Sequence, residues 1–203
     1  MTITNIIFDW GGVLTIHKHS DNVIKLLEKE FDAKIRGKKP AFGVFTDRLD
    51  RDSATFSEFV QQVNQAYKIN VSVKQMKDVF QRAAVLNRKL LPVIRKLGKN
   101  YKIIMLSNNN KTVVAHLKKK QNKMLKLFDK LFFSCEMQGG IAKPDEKIYV
   151  KTLKKLRVSA SECLFIDDVK PNVVAAKKLG INAIQYKSNV QLKKELKKYG
   201  IAI

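Results

Sequence analysis

Four polar positions, each at the end of an apolar run or in a glycine-containing loop, carry the chemistry open to this chain: Asp9, Ser107, Lys143 and the pair Asp167-Asp168. Asp9 closes the run Ile6-Ile7-Phe8, and Gly11-Gly12 follow after Trp10. That reads as a buried strand delivering one carboxylate to a turn where backbone passes close to something. Ser107 ends Ile103-Ile104-Met105-Leu106, and Asp167-Asp168 end Cys163-Leu164-Phe165-Ile166. Lys143 lies in the loop Gly139-Gly140-Ile141-Ala142-Lys143-Pro144-Asp145. Singly, each has a plain structural use. Asp9 could accept from a turn or cap a helix, Ser107 and Asp168 could be helix N-caps, and Lys143 could face solvent. Together they supply a carboxylate nucleophile, a hydroxyl for phosphoryl oxygens, a countercharge and an acidic metal site. That set suffices for magnesium-assisted phosphoryl transfer to an aspartate.

Such convergence requires parallel neighbouring strands, because open α/β sheets bind ligands at the carboxyl ends of their strands. The patterning supplies them. Apolar segments near residues 3–8, 101–106, 131–133, 163–166 and 183–186 alternate with helical segments near 86–97, up to 121, up to 156, 171–180 and 190–199. This predicts an α/β fold, a doubly wound, Rossmann-like parallel sheet covered on both faces. Residues 15–85 have a different texture. Helix-period segments run from Ser20 to Phe31, from Ser53 to Tyr67 and onward from Ser72, with a loop from Gly37 to Pro40 and no convincing strand. The expected organisation is a core of residues 1–14 and 86–203 with an all-helical cap, 15–85, inserted after the first strand.

The 203 residues, 45% hydrophobic and 29% charged, suit one soluble domain with a small insertion. The charge is unusual: 40 basic against 18 acidic residues give +22, a surface that attracts phosphorylated metabolites, nucleic acid or acidic membrane. Residues 79–128 hold no acid and 13 bases. This reads first as a solvated helix surface, and without interleaved aromatics it gives nucleic-acid binding little support. Cys135 and Cys163 have no partner spacing, which fits a reducing compartment. No run is long enough to span a membrane, and Asp9 breaks the N-terminal run too early for a signal peptide. A cytoplasmic location is expected.

Four segments together make a specific resemblance. Phe8-Asp9-Trp10-Gly11-Gly12-Val13-Leu14, Leu106-Ser107-Asn108, Gly140-Ile141-Ala142-Lys143-Pro144-Asp145 with Ile148-Tyr149, and Phe165-Ile166-Asp167-Asp168 with Asn172 and Ala175 to Gly180 resemble the four motifs of haloacid dehalogenase (HAD) superfamily hydrolases, in order and at the right spacing. The resemblance implies the small helical-cap, phosphatase-like branch. It implies that Asp9 attacks phosphorus and carries an aspartyl-phosphate. Ser107, Asn108 and the following helix N-terminus would hold the phosphoryl oxygens. Lys143 would neutralise charge on the nucleophile and transferring group. Mg2+ would be bound by Asp9, the Gly11 carbonyl and Asp168, with Asp167 adjacent or linked through water.

One position departs from the family pattern. Two residues after the nucleophile, the family's phosphatases carry an acid/base aspartate, and here that position is Gly11. A positioned acid/base contributes about 10²–10⁴-fold, so its loss weakens a catalyst without abolishing it. A substrate with a good leaving group, a substitute such as His17 or His19, or a purely phospho-ligand- or nucleic-acid-binding role would each accommodate Gly11. The expectation is a Mg2+-dependent phosphatase of a small phosphorylated metabolite. A 2-haloacid dehalogenase is disfavoured, since Asp167-Asp168 would repel a haloacid carboxylate. Trp10 is expected to pack beneath the cap. Asp50, Arg51 and Phe56 are the cap residues that could face the site.

Overall fold

A computed structural model describes residues 2–35 and 39–202. Five strands form one parallel sheet: β1 (Asn5–Phe8), β2 (Lys102–Ser107), β3 (Lys130–Phe133), β4 (Cys163–Asp167) and β5 (Asn182–Gln185), in the order β3-β2-β1-β4-β5. The strand order reverses at β1, between β2 and β4, so the switch point falls where Asp9 emerges. In β1, Ile6 and Phe8 point to one face and Ile7 to the other, as the two-residue period of a strand demands.

Helices cover both faces. On the Ile6 side, α5 (Leu91–Leu97), α6 (Lys111–Lys120), α7 (Asn122–Leu125) and α10 (Asn189–Lys198) bury Ile94, Leu117, Leu125 and Leu196. On the Ile7 side, α8 (Glu146–Leu156) and α9 (Lys170–Lys178) bury Ile148, Tyr149, Val173 and Ala176. The doubly wound α/β architecture is as the patterning predicts, with strand ends shifted by a residue or two.

Between β1 and α5 the chain forms four helices: α1 (His19–Phe31), α2 (Lys39–Asp50), α3 (Phe56–Tyr67) and α4 (Val73–Arg82). Capping boxes begin two of them, Thr55 with Glu58 and Ser72 with Gln75. An aromatic cluster holds them together. Phe59, wholly buried, has Phe42, Phe56 and Phe80 at 5.7, 5.8 and 5.5 Å between ring centroids. Phe59→Ala should therefore cost about 3–5 kcal/mol in chemical denaturation, with the cavity it leaves adding to the lost burial.

Helix α2 has no counterpart in the sequence reading. Of the loop expected at residues 37–40, Gly37 and Lys38 lie outside the described residues, while Lys39 and Pro40 open α2. Proline is tolerated in a first turn, and Gly43 further weakens the helical signal. Only Phe42 and Leu49 of this helix are fully buried, too few for a visible stripe. The segment leaves and rejoins the sheet domain at one point. Ile16 N–H donates to the Val85 carbonyl and Asn87 N–H to the Leu14 carbonyl, both at 2.8 Å. These bonds flank an antiparallel bridge between Thr15 and Leu86.

Candidate active site

Register sets the site. Phe8 of β1 lies level with Met105 of β2 and Ile166 of β4. The next residue, Asp9, therefore comes out beside Leu106-Ser107 and Asp167. Ser107 is buried and accepts from Asn109 Nδ2 at 2.9 Å. Asn110 caps α6 by accepting from Val113 N–H at 3.1 Å, leaving that helix start directed at the strand ends. Lys143 arrives from the loop before α8 and is held by its own backbone. Asn108 Nδ2 donates to the Lys143 carbonyl and Asn108 Oδ1 accepts its N–H, both at 2.8 Å. The Asn108 side chain thus braces the lysine loop, a use that residue spacing does not reveal.

The Lys143 ammonium, buried with the rest of its side chain, sits 2.7 Å from Asp9 Oδ1 and 2.6 Å from Asp167 Oδ2, over the Phe165 ring at 5.3 Å. Burial opposes its charge, but Asp167 and Asp9 more than compensate and its pKa is raised. Asp167 is fully enclosed and its oxygens are heavily used. Lys143 donates to Oδ2, Val169 N–H donates to Oδ1 at 2.8 Å, and Asn172 Nδ2 donates to both at 3.0 and 3.1 Å. This carboxylate orients the lysine.

Asp168 is the opposite case: its Oδ1 is buried with no hydrogen-bond partner among the described residues. Asp9, Asp167 and Asp168 each place an oxygen within 4.8 Å of the others. Burial first, then mutual repulsion, lifts the Asp168 carboxyl to about 6; Asp9 rises to about 7 by burial, against the pull of Lys143. An orphaned carboxylate oxygen beside two further carboxylates is the donor set a hard divalent cation needs.

The two glycines after Trp10 differ. Gly12 has φ +76°, and a Cβ there would lie 2.6 Å from the Asp168 carboxyl carbon, so only glycine fits. Gly11 has φ −70°, and the nearest atom to a Cβ would be the His19 backbone nitrogen at 3.9 Å. A Cβ at position 11 would meet only ordinary van der Waals contact.

The sequence profile of the haloacid dehalogenase-like hydrolases matches residues 3–180. The chain belongs to this family. As a HAD-like hydrolase it is 27% identical, over 96% of its length and 97% of the relative's, to the D-ribitol-5-phosphate phosphatase of Bacteroides thetaiotaomicron. A HAD-family enzyme of that organism, solved as an aspartate-to-alanine mutant with magnesium and inorganic phosphate, superposes with a TM-score of 0.76 at 25% identity, covering 92% of this chain and 95% of that one. A HAD-like hydrolase of Porphyromonas gingivalis matches with a TM-score of 0.80 over 100% of both chains at 22% identity, which shows the shared fold.

In this hydrolase Asp9, Ser107, Asn108, Lys143 and Asp168 all line one cavity of about 220 Å³, together with Trp10, Gly11 and Asn172. Trp10 is buried and also lines the cavity, and it has no partner for its indole N–H among the described residues. His17 is exposed and lies outside this cavity, whereas His19 lines it with Nε2 held 2.8 Å from the Phe80 carbonyl. Of the three cap residues singled out, Asp50 lines the cavity and Phe56 packs in the aromatic cluster. Arg51 reaches across to Asp145 at 2.5 Å and to the Gly140 carbonyl at 3.0 Å. Cys135 and Cys163 are free and buried, and no described helix is long and apolar enough to cross a membrane.

Proposed function

We propose that this hydrolase is a Mg2+-dependent phosphatase of a small phosphorylated metabolite, with residues 15–85 as a substrate-selecting cap. The observation that carries this reading is the buried triad of charges: Asp9 fixed by Lys143 at 2.7 Å beside an Asp168 oxygen that no protein group satisfies. Asp9 attacks phosphorus and forms an aspartyl-phosphate. Ser107, Asn108 and the start of α6 hold the phosphoryl oxygens, and Lys143 keeps the attacking carboxylate in place while balancing its charge. Asp9, Asp168 and the Gly11 carbonyl, with Asp167 behind them, would hold magnesium, which would supply neutralisation of phosphoryl charge. The cavity is smaller than the roughly 300–1,000 Å³ of drug-sized sites, which supports a compact substrate. The D-ribitol-5-phosphate phosphatase relative supports a polyol or sugar phosphate as its class.

The test is phosphate release from a panel of phosphorylated metabolites and an activated aryl phosphate, with Mg2+ and with chelator. Metal-dependent release is expected. A second readout needs no turnover: Mg2+ at about 100 times its Kd should raise Tm by roughly 5–10 °C, and Asp168→Asn should remove that rise. Absence of release from every substrate, the aryl ester included, would overturn the reading. Salt-sensitive binding of nucleic acid in its place would direct attention to the +22 surface.

A further inference from the structure

The phosphatase reading leaves one atom without a source: the proton for the departing alkoxide. Gly11 has no side chain to supply it. We propose that Asp50, carried by the cap, is the acid that protonates the leaving oxygen and the base that then activates water. The inference rests on the phosphatase reading and identifies a catalytic residue for it.

Asp50 is the last residue of α2 and shares the cavity with Asp9. It keeps some surface toward the cavity while protein surrounds it densely. Its position is fixed from the core side. Ser134 Oγ, at the end of β3, donates to the Asp50 carbonyl at 2.6 Å. Arg51 is pinned to Asp145 and Gly140, and Lys111 of α6 bonds Asp52 at 2.7 Å. Asn110, at the start of α6, lines the same cavity. These contacts hold the end of a cap helix against the core, as a group acting on a bound ester requires.

Elimination leaves no better donor. Six titratable side chains line the cavity: Asp9, Lys18, His19, Asp50, Lys143 and Asp168. Asp9 is the nucleophile, Lys143 is shared between Asp9 and Asp167, and Asp168 belongs to the metal site. Lys18 is half exposed and lies 3.8 Å from Asp168. His19 commits Nε2 to the Phe80 carbonyl, and burial lowers its pKa, which disfavours the doubly protonated ring an acid at its other nitrogen would need. Asp50 does hold one. Burial, with Asp47 and Asp9 adding repulsion against the pull of Asn110 and Arg51, raises its carboxyl to about 7, close to where a general acid works best.

The steps balance. As an Asp9 oxygen bonds to phosphorus, the bond from phosphorus to the leaving oxygen breaks, and its electron pair takes the Asp50 proton to give the alcohol. Water then attacks the aspartyl-phosphate and gives a proton to the Asp50 carboxylate. The bond from phosphorus to Asp9 breaks, freeing phosphate and restoring both residues.

The experiment compares an alkyl phosphate cleaved by the parent with para-nitrophenyl phosphate, whose leaving group needs no proton. Asp50→Asn should lower steady-state kcat for both esters by about 10²–10⁴-fold, because water activation is common to them. It should slow the first-turnover burst of para-nitrophenolate by less than about 10-fold, while slowing first-turnover release of the alkyl alcohol by about 10²–10⁴-fold. Gly11→Asp, whose Cβ would meet no close contact, should restore part of the alkyl activity in the Asp50→Asn background. Unchanged alkyl turnover in Asp50→Asn would overturn the proposal. So would an equal loss of the first-turnover rate on both esters with no rescue, the signature of a merely structural role. Failure of the phosphatase reading looks different: the parent itself would release nothing from the aryl ester.

Discussion

Asp9→Asn abolishes phosphate release, by a factor on the order of 10⁴–10⁶, and does not weaken the fold; that is the expected result. The activity loss follows from removing the only carboxylate that Lys143 presents to the cavity. The stability result follows from burial. Asp9 titrates near 7 in the fold, well above its ordinary value of 3.8, even with Lys143 beside it. The folded chain therefore holds the proton more tightly than the unfolded chain does. Between about pH 4 and 7 that preference lowers stability as pH rises, and above pH 7 the full cost of an ionised Asp9 is present. Asparagine has the same shape and no charge. In metal-free protein at pH 8, Tm of Asp9→Asn should equal or exceed that of the parent, in keeping with the general opposition between catalytic strain and stability. A Tm drop of several degrees would show that Asp9 is a structural anchor.

Lys143→Met has the opposite stability outcome. Its ammonium lies between Asp9 and Asp167 at 2.7 and 2.6 Å, and among the described residues no other positive charge bonds Asp167. Removing it leaves buried carboxylates uncompensated, a loss of about 3–5 kcal/mol, or very roughly 6–20 °C in Tm for a chain of this size. Phosphate release should fall by at least about 10²–10³-fold, because charge on the transferring group is no longer met. Adding Asp167→Asn should recover stability but not activity. Thermal melts and phosphate-release assays on the single and double variants separate the two roles of the lysine.

Much of the site is legible in the chain because strand ends are. Asp9, Ser107 and Asp167-Asp168 each terminate an apolar run, and a parallel sheet must bring such termini together. Lys143 is legible through its loop motif. What stays hidden depends on contacts between segments far apart in sequence. The Asn108 side chain bonds the Lys143 backbone 35 residues away, and Ser134 fixes Asp50 from 84 residues away. No periodicity encodes either. Helix α2 escapes for a local reason: a proline, a glycine and two core-facing residues make a faint helical signal, and packing of Phe42 on Phe59 stabilises it instead. Asp50, at the far end of that helix, is legible only as one of three cap residues that could face the site, because its place depends on how α2 packs.

The paired backbone at Leu14–Ile16 and Val85–Asn87 means residues 16–85 depart and return one hydrogen bond apart. An insertion with such closely spaced ends can be lengthened, shortened or exchanged for another without bending the sheet. In most modular arrangements, exchange changes which molecule is admitted and leaves the reaction alone. With the proton donor on α2, this chain would lose part of its reaction with the graft. A hybrid of this core with a foreign cap should regain it by placing an aspartate at position 11, where the backbone leaves a Cβ clear.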